Sequence, residues 1–293
     1  MRQYLINIYY IGTLSLLLGL AGCTDEATGT DDVKRQVMTF DIQHPSSTKT
    51  RMTDTSFESG DQVGIFLTVS GHAVDIAGNY LTNIPLTFDG TEWGARSPLY
   101  WDEGQYDAYA YYPYLSPLPS VTDLPFSIQT DQSTTTGYAA SDFLWAQKKA
   151  ITGSDGEVSL TFSHRMSRLM VRLVKGDDYE GDLPDDAEVF IHNTITDATI
   201  DLNAGIATHI SHASPNTIHA HSIGNHRYTA IVVPQRLDNR QPLVEVVTNG
   251  VSYLYEGIFL FKPGVQHNIL LALSQNASQV KIQIGGETEN WNE

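Results

Sequence analysis

The chain has 293 residues, 41% of them hydrophobic, which is enough apolar material for real cores and separates it from disordered sequences. Thirty-four acidic residues against seventeen basic ones give a formal charge of −17, and so acidic a surface repels phosphate backbones, arguing against nucleic acid as a partner. The only cysteine is Cys23, which excludes a disulfide within the chain.

The chain opens with Arg2 and an apolar run, IGTLSLLLGL (11–20), too short to span a bilayer well. The run ends in Leu20-Ala21-Gly22-Cys23, and small residues just before a cysteine resemble a bacterial lipobox. Residues 1–22 are therefore predicted to be a signal peptide, with Cys23 carrying the lipid. Two or more acyl chains hold a protein stably where one is marginal. Residues 23–32 are polar and acidic and read as a flexible tether.

Folded structure is predicted from residue 33. In VMTFDI (37–42), Met38, Phe40 and Ile42 alternate with Thr39 and Asp41, the period of a half-buried strand. A polar break at 44–56 holds Lys49 and Arg51. FESGDQVGIFLTVSG (57–71) predicts a strand with Val63, Ile65, Leu67 and Val69 inward, and Asp89-Gly90 signals a hairpin turn. PLYW (98–101) and QYDAYAYYPY (105–114) supply two more strands. The latter puts Tyr106, Ala108, Ala110 and Tyr112 on one face and Tyr109 and Tyr111 on the other, tyrosines better suited to cross-strand packing than to a ligand. Tyr138 to Ala150 is ambiguous between helix and strand. Val158, Leu160 and Phe162 alternate with polar residues, and the same phase turns His164 inward, as a core histidine donating to a backbone carbonyl. An apolar run from Leu169 to Val174 follows, with Arg168 and Arg172 on one face.

KGDDYEGDLPDD (175–186) is acidic, with glycine and proline and little to bury, and predicts a boundary between domains at 33–176 and 185–293. Beyond it come AEVFIHN, TITDATIDL, GIATHI, TIHAHSI and RYTAIVVPQ, all short strand-like runs. The segment 243–261 is a hairpin about Asn249-Gly250, whose residues suit the positive φ of a type I′ turn. GVQHNILLALS (264–274) and QVKIQI (279–284) close the series; in the last, Val280, Ile282 and Ile284 alternate with Lys281 and Gln283. Many short strands at close spacing predict an all-β chain of two sandwiches.

No chemistry stands out. Five of the ten histidines fall between His209 and His226, and His219 and His221, two apart, would share a strand face. Yet that stretch has no cysteine, no carboxylate and no helical His-x-x-x-His pair, so a polar strand face is expected rather than a metal site. There is no nucleophile elbow, P-loop or dinucleotide turn, and paired carboxylates such as Asp177-Asp178 sit in the linker. The expectation is a protein without catalysis or cofactor.

A set of motifs in fixed order carries a resemblance over nearly the whole chain. FESGD (57–61) follows shortly after an arginine; AYYPY (110–114) comes next, then DFLWA (142–146), an alternating strand ending in Phe162-Ser163-His164, and RLMV (168–171). In these the chain resembles the fimbrillin-like lipoproteins of Bacteroides and its relatives, which include shaft, tip and anchor subunits of a pilus. The resemblance implies two tandem transthyretin-like β-sandwiches and a structural, adhesive role at the cell surface, lipid-anchored in the outer membrane. The acidic residues behind Cys23 are similar to the surface-export signal of Bacteroides lipoproteins. It further implies assembly with other fimbrial subunits by strand exchange, in which an arginine-directed protease removes the first strand; Arg51 is the matching position. The donor would be a neighbour's C-terminal strand, here represented by Val280, Ile282 and Ile284. Two alternatives stay open: that 279–284 completes this chain's own sheet, and that the chain is a monomeric lipoprotein binding a host glycan or protein.

Overall fold

Alternating apolar residues broken by turn residues produce strands almost throughout. The computed structural model describes residues 35–45, 56–275, 281–289 and 291. In chain order the first half gives β1 (Phe40–Gln43), β2 (Gln62–Val69), β3 (Leu81–Phe88), β4 (Trp93–Ala95), β5 (Tyr106–Tyr112) and β6 (Leu124–Ser127). A short helix α1 (Thr135–Ala139) then precedes β7 (Leu144–Ile151), β8 (Val158–Thr161), β9 (Ser163–His164) and β10 (Ser167–Lys175). The second half gives β11 (Glu188–Thr194), β12 (Asp197–Asp201), β13 (Ile206–His209), β14 (Asn216–His219) and β15 (His221–Gly224). It ends with β16 (Arg227–Val232), β17 (Gln235–Thr248), β18 (Val251–Phe261), β19 (Val265–Leu273) and β20 (Lys281–Glu289). The ambiguous stretch from Tyr138 is thus the end of one helical turn, capped by the Thr134 side chain, followed by a strand.

A six-stranded sheet, ordered β4-β3-β2-β5-β7-β9, is the middle layer of the fold. One face packs on the two-stranded pair β1–β8 in a smaller core built on Val63, Ile65, Leu67, Ala108 and Ala110. The opposite face sends Phe66, Tyr109 and Tyr111 into a larger core shared with the later strands. This explains why β2 and β5 are buried almost end to end: both faces are covered. The two tyrosine faces read from sequence divide between the two cores accordingly. Val69, expected inward, lies at the strand end and is exposed.

The larger core sits between a five-stranded sheet, β15-β16-β10-β19-β20, and a four-stranded sheet, β14-β11-β17-β18, with β13-β12-β6 alongside. β10 is central to the first, antiparallel to β16 and parallel to β19. The acidic loop at 176–184 therefore lies within this second set of sheets, carrying the chain from β10 to β11. The sheets change hands earlier, between His164 and Ser167, and β6 reaches forward to pair with β12. The described residues all belong to one compact unit, Arg35–Glu293.

Side chains stitch the two sets of sheets together. Trp145 on β7 donates its indole N–H to the Leu202 carbonyl at 2.8 Å. Its ring lies against Gly205, where φ is +64° and a Cβ would stand 2.5 Å from the indole, so the close approach and the positive φ both require glycine. Arg165 covers the Trp145 ring at 4.5 Å. Both turns read from sequence form, β3–β4 about Gly90 and β17–β18 about Asn249 and Gly250 at φ of 50° and 74°.

Candidate functional site

Covering the smaller core falls to β1. Its alternation sends Met38, Phe40 and Ile42 inward, each less than a tenth exposed, into the cluster that holds Val158, Leu160 and Phe162. Burying such side chains is worth about 1.5–3 kcal/mol each. The backbone is held by a parallel ladder, Phe40↔Val158 through Gln43↔Thr161. Just beyond the ladder's ends, the Val158 and Phe162 amides donate to the Thr39 and Gln43 carbonyls, each at 2.9 Å. At its start, the Met38 amide donates to the Leu99 carbonyl at 2.8 Å, and Val37 bridges Tyr100. β8 has no ladder partner other than β1 among the described residues. Departure of β1 would leave an apolar groove with an unpaired strand along its edge.

Of the residues singled out in the sequence, Cys23, Arg51 and Val280 lie outside the described residues. Ile282 and Ile284 are on β20, opposite Leu271 and Ile269 of β19, and Ile282 packs on the larger core. In this chain that strand forms the edge of the five-stranded sheet.

Beyond β20 the chain turns inward. Trp291 is 3% exposed and stacks on the His164 ring at 3.6 Å and 12°. Arg168 donates from Nη2 to the Trp291 carbonyl at 2.9 Å and lies over its ring at 5.0 Å. His164 is buried as predicted, but its Nδ1 meets the Asp142 carboxylate at 2.9 Å rather than a backbone carbonyl. The strand phase sets which way a side chain points, whereas its partner comes from a loop 22 residues away. His44, just past β1, sets its ring edge-on to His164 at 5.8 Å and to Phe57 at 5.1 Å. The end of the first strand and the C-terminal tail therefore meet on one buried imidazole, with a cavity of about 90 Å³ left beside Trp291.

Burial, with His164 nearby, pushes the His44 imidazole down to about 4 from its ordinary 6.5, against the opposing pull of Asp142 and Asp61. The unfolded chain takes up this proton first, so stability is intact above about pH 6.5 and drains as pH falls toward 4, by something on the order of 3 kcal/mol. Burial lowers His267 as well, adding the same sign. Denaturant titrations of the chain and of His44→Phe should differ in slope only in this window; parallel curves would show that His44 is not the group responsible.

The histidine cluster resolves differently from its spacing. His219 and His221 do not lie on one strand: β14 ends at His219 in one sheet and β15 begins at His221 in another, with Ala220 buried between them. His219 stacks on Phe190 at 4.6 Å with Glu188 3.5 Å away, and His221 meets the Ser133 carbonyl at 2.9 Å. Among the described residues no three His, Cys, Asp or Glu side chains are grouped to hold a metal ion. No helix there is long and apolar enough to cross a membrane.

The sequence profile of the fimbrillin-like family matches residues 50–291. The chain belongs to the fimbrillin-like family. A candidate fimbrium tip subunit of Bacteroides ovatus is 33% identical to it over 196 residues, 59% of this chain and 36% of that protein, so the chain spans about a third of that relative's length. Candidate cell adhesion proteins of Bacteroides ovatus and Bacteroides uniformis share the fold, with TM-scores of 0.69 and 0.67. Each is 20% identical and aligns over 88% of this chain and 98% of its own. The fimbrillin-like match takes in the rim of the β1 groove and Trp291, but begins after β1 itself.

His44 and Trp291 were not legible as site residues. His44 sits in a polar break and Trp291 in a glycine- and glutamate-rich end, and neither has periodic neighbours to mark it.

Proposed function

We propose that this chain is a subunit of a cell-surface fimbrium, anchored through lipid on Cys23 and assembled by β-strand exchange. The observation that carries the reading is β1: a single short strand that closes an apolar core and is the only ladder partner of β8 among the described residues. Cleavage at Arg51 separates that strand from the rest of the fold, and an extended donor replaces it. Main-chain hydrogen bonds would then supply affinity and alternate apolar side chains specificity. Val280, Ile282 and Ile284 are the residues the chain offers as a donor in turn, once β20 leaves β19. Membership of the fimbrillin-like family supports the reading, as do the names of the relatives, a candidate fimbrium tip subunit and candidate cell adhesion proteins. The work assigned to the site is mechanical.

Anchoring is tested by Cys23→Ala, which should abolish incorporation of radiolabelled fatty acid and shed the chain from the membrane; continued labelling would overturn the lipid assignment. Assembly is tested by immunogold microscopy of filaments sheared from cells, with antibody to this chain. Label along or at the end of filaments supports the proposal. Label confined to the cell body, with no filament carrying it, supports instead a monomeric surface lipoprotein that binds a host glycan or protein.

A further inference from the structure

β18 is a free edge of the four-stranded sheet, eleven residues long, with no strand paired to its outer side among the described residues. Four of the nine exposed large hydrophobic residues described lie on it: Val251, Leu254, Ile258 and Leu260, with Ile258 64% exposed. Unpaired edges recruit other strands unless charge, proline or bulges blunt them. The edge of the five-stranded sheet, β20, is blunted in that way by Lys281 and Glu287 and by a bulge at Asn268/Ile269 opposite its glycine pair. β18 has one charge, Glu256, and Arg240 stands 3.7 Å from it.

The sequence of β18 is also nearly symmetric about Gly257. Leu254 and Leu260 stand three residues to either side, Tyr255 and Phe259 two, and Tyr253 and Phe261 four. An antiparallel pair of identical strands with its twofold at Gly257 sets Leu254 against Leu260 and Ile258 against Glu256 on the outer face, and aromatic against aromatic on the inner one. That is the self-complementary pattern an isologous contact demands.

We propose that β18 is a self-association surface, pairing edge to edge with β18 of a second copy of this chain and joining the two four-stranded sheets into one of eight strands. The contact is independent of the β1 groove and of strand exchange. It is smaller than a standard interface of about 1,600 Å², and the acidic chains repel, so the dimer belongs in the micromolar range at physiological salt.

Sedimentation of the folded chain, with Cys23→Ala, from about 1 to about 100 µM should show reversible dimers. Ile258→Glu, at an exposed position opposite the second copy's Glu256, should give monomers with at least tenfold weaker association and an unchanged melting temperature. Leu254→Cys and Leu260→Cys chains should each stay uncrosslinked alone and form a disulfide-linked pair when mixed, since residue 254 faces residue 260 only across the twofold. A chain monomeric throughout overturns the proposal, as does one whose dimer survives Ile258→Glu or fails to crosslink on mixing. A monomer that instead takes up an unrelated strand at β18 overturns it equally.

Discussion

Phe40→Asp should strip the first strand from its groove while leaving the rest of the chain folded. Removing a buried phenylalanine costs about 3–5 kcal/mol, and an unpaired carboxylate in its place adds several more. Phe40 is 7% exposed and belongs only to the smaller core, so the loss is local. The Val158 and Phe162 amides, which donate to β1 carbonyls, should lose protection from hydrogen exchange by about a hundredfold or more. Amides of β10 and β19, paired with one another in the five-stranded sheet, should keep theirs. Asp41→Ala is the contrast on the same strand. Its side chain faces out and accepts a 3.2 Å bond from Ser159, worth about 1 kcal/mol, and its removal should leave the strand in place. Equal protection of Val158 in Phe40→Asp and the unaltered chain would mean that β1 does not hold the groove.

Cutting after Arg51 should convert a unimolecular strand into a bound peptide. While the chain is intact, the tether keeps β1 at an effective concentration in the millimolar range, and melting is independent of protein concentration. After the cut, retention depends on three buried apolar side chains and a few hydrogen bonds, set against the rotational and translational freedom regained on release. The melting temperature should then fall on dilution, as for any ligand whose free concentration drops, and the fragment carrying β1 should leave on gel filtration. Departure also removes His44 from the ring of His164, so the Trp291 stack loses the neighbour that closes the pocket on that side. Persistence of the nicked complex at nanomolar concentration would show that β1 is a structural strand and not an exchangeable one.

Much of this fold was written locally. The alternation in β1, β2, β5 and β8 and the Asp89-Gly90 and Asn249-Gly250 turns fix strands and hairpins from neighbours in the chain, because period and turn chemistry are short-range properties. What was not legible is long-range. β1 pairs with β8, 118 residues on, and β10 joins β19 in parallel across the acidic loop; no residue in either strand names its partner. The loop at 176–184 looked like a boundary because it has little to bury, yet any exposed connection between two sheets has that composition. His219 and His221 were assigned one face on the assumption of an unbroken strand, and the break at Ala220 carries no glycine or proline to announce it. The groove itself was readable as a strand between a tether and a basic segment. The latch of His44, His164 and Trp291 was not, since it gathers residues from three distant points.

Strand exchange is tested most directly by binding. The chain is nicked with a limiting amount of trypsin, the fragment bearing β1 is removed, and a synthetic peptide of residues 275–293 is added. The account predicts saturable binding to the nicked chain, none to the intact one, and recovery of exchange protection at the Val158 and Phe162 amides as the new strand pairs with β8. A nicked chain that has lost β1 and still takes up no peptide would contradict it.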